Sequence, residues 1–119
     1  HMNWLAIFIG GGLGSMLRFG LSRIFLSMEL TQLPLATLSS NILSTAILGV
    51  ALLKLTDHQS FFYYFLIIGF CGGFSTFSTF SQETFVLAKN GQLAWAVANV
   101  LVSVAICISI LYLISKTAK

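Results

Sequence analysis

Between Gly72 and Ser81 the chain reads Gly-Gly-Phe-Ser-Thr-Phe-Ser-Thr-Phe-Ser, so five hydroxyl side chains are interleaved with three phenylalanines. Hydroxyls offer hydrogen-bond donors. A phenyl ring is negative on its face and positive at its edge. Donors set beside ring edges suit a small anion and not a cation. The commoner fate of Phe77 and Phe80 is plain aromatic packing, but Ser78 and Thr79 between them favour the anion reading. Gly72 and Gly73 add backbone freedom just before the repeat. A glycine pair interrupts a membrane helix where the freed backbone faces a cavity or an ion.

Other polar residues lie in apolar surroundings. The Asn41 amide has two donors and a carbonyl, more than its own helix satisfies. It must meet another helix, water or a ligand. Thr37, Asn41 and Ser44 are spaced by four and three, which puts them on one helix face. Arg18 either snorkels to the interface or lines a watery vestibule that attracts anions. Glu83 follows the repeat by one turn and either ends a polar line toward water or sits at the interface. Ser103 stands one turn from Asn99, so both can face a polar seam.

The elements that must hold these residues are membrane helices. The 119 residues are 57% hydrophobic and 8% charged, against about 25% charged in a soluble domain. A span needs roughly 20 apolar residues, so the length fits four spans in a single domain, 1–119. They run from about Asn3 to Leu26, Leu33 to Leu55, Phe61 to Leu87 and Leu93 to Ser115. The breaks at Glu29-Leu30-Thr31-Gln32, Thr56-Asp57-His58-Gln59-Ser60 and Lys89-Asn90-Gly91-Gln92 are short and polar, so neighbours run antiparallel. His1 reads as a cloning scar, and the first apolar stretch as a retained helix rather than a signal peptide. The net charge of +3 is scattered at helix ends, which points to lipid headgroups and not to nucleic acid. Cys71 and Cys107 read as small core residues, without a disulfide or metal framework.

Glycines recur in pairs four apart, Gly10 with Gly14 and Gly69 with Gly73. Such faces let helix backbones approach. Gly10-Gly11-Gly12-Leu13-Gly14-Ser15 is not a dinucleotide fingerprint, because Ser15 stands where the third glycine is required. With four spans, Lys54, Lys116 and Lys119 fall on one side and Arg18, Arg23 and Lys89 on the other. That balance leaves no preferred orientation. Two oppositely inserted copies then form an antiparallel two-fold dimer.

The Gly72–Ser81 stretch followed by Glu83-Thr84 resembles the signature of the Fluc (CrcB) family of fluoride channels. Gly11-Gly12-Leu13-Gly14 with Arg18, and Thr37 with Asn41, resemble its first- and second-helix motifs. Ala36 and Ser44 stand where the family typically has glycine, which bears on helix packing more than on the ion path. The resemblance implies an all-α, dual-topology homodimer in the bacterial inner membrane, with a break in the third of four helices and two fluoride pathways. It implies pore roles for Phe77, Phe80 and Asn41, lining hydroxyls at Ser78, Thr79 and Ser103, and a polar track through Thr37 and Glu83. It also implies a structural sodium ion at the dimer interface, held by the backbone carbonyls of Gly72 and Ser75. The implied activity is passive fluoride export, not catalysis. Two rivals remain. A small dual-topology proton-coupled multidrug transporter needs a deep acidic residue, and only Glu83 lies in a span, late in the third. A non-transporting membrane assembly protein leaves Asn41 and the Ser-Thr-Phe repeat unexplained.

Overall fold

The computed structural model describes residues 2–30 and 33–117, and these form helices joined by short turns. His1, Thr31, Gln32 and Lys119, which entered the reading of the sequence, lie outside the described residues. Helix α1 spans Met2–Ser27 and α2 spans Leu35–Lys54. The third span starts as a π-helical stretch, Tyr63–Cys71, and runs directly into a short α3, Gly72–Phe74. It resumes as α4, Ser78–Lys89, and α5 spans Leu93–Lys116. Among the described residues four spans are long and apolar enough to cross a membrane, Met2–Ser27, Leu35–Lys54, Tyr63–Lys89 and Leu93–Lys116. At about 1.5 Å per residue the shortest, of 20 residues, covers roughly the 30 Å hydrocarbon core. The protein is a multi-pass membrane protein.

The turns follow from helix-end chemistry. After α4, Gln92 N–H donates to Leu87 O at 2.8 Å and Gly91 N–H to Ala88 O at 3.2 Å. Gly91 has φ of 81°, the left-handed value that this C-terminal motif demands. The same pair of bonds ends α1, from Leu30 N–H to Phe25 O at 2.9 Å and from Glu29 N–H to Leu26 O at 3.0 Å. Here Glu29 takes the left-handed position at φ 61°.

Lipid provides no hydrophobic force between helices, so packing relies on small residues and close approach. The buried apolar residues are accordingly mostly small or few: Ala6, Ala51, Ala96, Cys71, Leu87 and Phe74. The glycine faces of α1 and the third span are where the two backbones come together. A Cβ on Gly14 would collide with Phe70 O and stand 2.7 Å from Phe74 N. One on Gly69 would stand 2.9 Å from Ile7 O, and one on Gly73 would collide with Gly11 O. Helix α1 is thus laid backbone to backbone along the third span. Across the bundle α2 packs on α5, with Gly49 under the Ile114 side chain.

One expectation changes here. Gly72 and Gly73 do not open the helix: both lie in α3, and Gly72 has helical angles of φ −64° and ψ −34°. Gly73 is small because Gly11 is against it. The helical path is left one turn later, at Ser75, with φ −83° and ψ 160°. Gly14→Ala and Gly73→Ala are each expected to cost roughly 1–3 kcal/mol, the scale of overpacking a tight contact. Gly12→Ala, where a Cβ meets nothing within 4 Å, should melt with the parent protein in detergent.

Candidate functional site

The site forms where the third span leaves its helix. Cys71 O takes three donors, Ser75 N–H at 3.0 Å, Ser75 Oγ at 2.7 Å and Ser44 Oγ at 2.9 Å. That closes the first half. The next ladder bond would run from Thr76 N–H to Gly72 O. Instead Thr76 N–H donates to Asn41 Oδ1 at 2.9 Å. A backbone N–H can donate only to the oxygen end of the amide, so the Asn41 NH2 lies on the other side. Among the described residues that NH2 has no hydrogen-bond partner.

The second half begins on a side-chain cap. Thr79 N–H donates to Thr76 Oγ1 at 3.1 Å, which satisfies one of the free donors of the first turn of α4. Thr76 Oγ1 and Ser78 Oγ also share a proton at 3.3 Å. Arg18 reaches the interruption from α1, where its Nε donates to Gly73 O at 3.1 Å. It caps the carbonyl end of α3, where a cation complements the helix dipole. Neither expectation for Arg18 included that contact.

The face of α2 read from spacing is the face turned to the third span. Ser44 bonds Cys71 O, Asn41 bonds Thr76 N–H, and Thr37, buried at 5% exposure, lies beside the Glu83 carboxyl. Glu83 Oε1 is buried and has no partner among the described residues.

The expected site residues gather in two places. A groove of about 350 Å³ is lined by Asn41, Ser75, Thr76, Phe77, Phe80 and Ser103, with Cys107 at its wall. The Phe77 and Phe80 rings lie 6.0 Å apart at 40° along it. A second cavity of about 480 Å³ holds Thr79 and Glu83, with Ser22, Gln82 and Pro34 around them. Ser78 is exposed at the start of α4, and Gly72 is exposed on the outer side of α3. The three phenylalanines of the repeat part company: Phe74 is 1% exposed, whereas Phe77 is 79% exposed. Phe74 packs against Phe70 at 5.6 Å and belongs to the interior.

Sequence reasoning missed Thr76 as the cap and Thr84 as a partner of Asn99. Asn99 Nδ2 donates to Thr84 Oγ1 at 2.9 Å, and Thr84 Oγ1 donates to Phe80 O at 2.8 Å. A lone amide in an apolar helix marks Asn99 as needing a partner, but no local pattern names Thr84 as that partner or Thr76 as the cap.

Broken spans whose freed backbone groups are met by neighbouring helices are a recurring feature of membrane proteins that bind ions and small solutes. A profile of the family described as CrcB-like protein, Camphor Resistance (CrcB), matches residues 5–114. The chain belongs to this family. It is 42% identical over 102 residues to a protein of Enterobacter sp. (strain 638) named fluoride-specific ion channel FluC, which covers 83% of this chain and 80% of the relative. It is 39% identical over 112 residues to the protein of the same name from Coxiella burnetii (strain Dugway 5J108-111), covering 91% of this chain and 90% of the relative.

Asn41 has two separable duties, and two substitutions divide them. Asn41→Leu strands Thr76 N–H and is expected to lose about 1–3 kcal/mol of stability. Asn41→Asp keeps an acceptor there and should melt close to the parent, while removing the NH2 donors. Thermal denaturation in detergent reads the difference.

Proposed function

We propose that this chain is a fluoride channel, working as an antiparallel, dual-topology homodimer that lets fluoride leave a bacterial cytoplasm down its gradient. The observation that carries the reading is the groove lined together by Asn41, Ser103, Phe77 and Phe80, in which the Asn41 NH2 has no partner among the described residues. The names of its relatives agree with it.

Fluoride is small and tightly hydrated, so removing its water is costly unless other donors replace it. The amide NH2 of Asn41, the hydroxyls of Ser103 and Ser78, and the positive edges of Phe77 and Phe80 are such donors. Each is neutral and modest, so the ion also leaves, as conduction over several sites requires. Thr79, Thr37 and Glu83 continue the polar line toward the second cavity. The Glu83 carboxylate repels an anion and lies off the donor-rich groove, which suits the wetter end of the track. Arg18 sits one layer away on Gly73 O and adds positive potential without fixing the ion.

The second copy is supported by incompleteness and by charge. Phe77 is 79% exposed in one chain, although a donor-lined passage must exclude water on all sides. The three-and-three balance of basic residues permits both orientations in the membrane. A partner inverted against this face gives each groove a second wall, and the two-fold axis makes two grooves.

The residues also fit a sodium ion at that axis. Gly72 O loses Thr76 N–H to Asn41, Ser75 is extended, and Gly72 lies on the exposed side. Carbonyls freed in this way, doubled by symmetry, are the hard oxygen ligands that such a cation takes. The ion would supply charge neutralisation where two half-helices end, and Asn41, Ser44 and Arg18 hold those ends in place.

Replacing both Phe77 and Phe80 with isoleucine keeps bulk and removes the ring edges. Fluoride efflux from liposomes is expected to fall to the protein-free background with the dimer intact by gel filtration; full efflux removes the rings from the path. Purification with N-methyl-D-glucamine in place of sodium is expected to lower the melting temperature, and sodium to restore it. Equal melting in both media removes the cation.

A further inference from the structure

The polar side chains between α4 and α5 form a connected line, of which conduction as described uses Ser103 but neither Thr84 nor Asn99. Thr84 Oγ1 donates to Phe80 O at 2.8 Å. Asn99 Nδ2 donates to Thr84 Oγ1 at 2.9 Å, and Ser103 Oγ donates to Asn99 Oδ1 at 3.5 Å. The direction of every bond is forced. A carbonyl only accepts, so the single Thr84 proton belongs to Phe80 O. Thr84 then only accepts from Asn99, which turns the amide nitrogen to α4 and its oxygen to Ser103. Ser103 is therefore the donor. The line starts at the backbone of a groove phenylalanine and ends on the proton of a groove hydroxyl.

The bond lengths divide the line. Two bonds are of ordinary length, so the amide is held firmly. The last is at the outer limit of a hydrogen bond between hydroxyl and oxygen, so the Ser103 proton is held loosely. We propose that Asn99 is a positioning residue that sets how readily Ser103 donates its proton to fluoride in the groove. The proposal rests on the reading that this groove carries fluoride. An anion is the stronger acceptor, because hydrogen bonds to charged groups exceed those to neutral carbonyls. The hydroxyl turns toward fluoride as it arrives and returns to Asn99 Oδ1 as it leaves. The amide thus gives the proton a second resting place. It weakens the hold on the ion at this station, which passage requires.

The test is the fluoride concentration that half-saturates flux into liposomes. Asn99→Leu removes the competing acceptor and is expected to lower this concentration several-fold. Asn99→Asp strengthens the acceptor and is expected to raise it. Thr84→Val frees the amide to turn and is expected to shift it in the same direction as Asn99→Leu; it reports on the same line if the leucine variant does not fold. In a Ser103→Ala background all three shifts should shrink to less than roughly twofold, since one hydrogen bond to an ion is worth about a tenfold change. Shifts of one sign for Leu and Asp, or shifts retained in full without the Ser103 hydroxyl, overturn the proposal, because the amide then acts on folding or through space. Ser103→Ala alone is expected to raise the half-saturating concentration by roughly tenfold. If it changes nothing while Phe77 and Phe80 remain essential, the hydroxyl is outside the path and the role of Asn99 falls with it. If neither matters, the groove reading itself fails.

Discussion

The bond from Thr76 N–H to Asn41 Oδ1 is the constraint on which the rest depends. At membrane depth a backbone donor has no water to fall back on, and each unmet group costs several kcal/mol. A span can leave its helix only if other helices answer the groups it frees. Here α2 answers with Asn41 and Ser44, and α1 answers with Arg18. Only the Thr76 and Ser75 hydroxyls are local. The interruption is therefore a property of three helices packed together, and it cannot persist in the third span alone.

That dependence explains why α1 must lie so close. Arg18 meets Gly73 O because Gly14 and Gly11 bring the two backbones into contact one and two turns earlier. A bulkier residue at Gly14 would push the helix away and draw the guanidinium with it. The glycine face and the arginine are thus parts of one device, the first setting the distance over which the second acts. The π-helical stretch Tyr63–Cys71 lies in the same contact. Its wider turns shift the residues that follow relative to α1, a feature common near functional sites.

Much of this was legible from residue types and spacing. Long apolar runs with few charges specify four spans, because the bilayer sets their length. Spacings of four and three put Thr37, Asn41 and Ser44 on one face, and that face meets the third span. Glycines four apart mark the faces on which the α1 and third-span backbones approach. The interruption was misplaced because glycine permits an unusual backbone and does not compel one. Gly73 is small for a neighbour's sake, while the path departs from the helix at Ser75, where Asn41 competes for the following N–H. That competition is between residues 35 apart in the chain, so no local pattern records it. The bond from Asn99 to Thr84 is likewise set by how α4 and α5 come together. The π-helical stretch is apolar in composition and carries no sequence mark of its own.

The repeated Ser-Thr-Phe motif shows how one local pattern is divided by packing. Phe74, 1% exposed, fills the space beneath α1, and Phe77, 79% exposed, faces outward. Between them the extended Ser75 turns the chain, so residues three apart no longer share a face as they would in a helix. The first phenylalanine holds the helix end in the bundle and the second is delivered to the groove beside Asn41. A continuous helix would have sent Phe74 and Phe77 to nearly the same side, and Asn41 Oδ1 would have no backbone donor to hold. The same bend therefore directs the ring and frees the amide's two donors. That coupling makes Asn41 the support of the interruption while leaving its NH2 unengaged beside the groove.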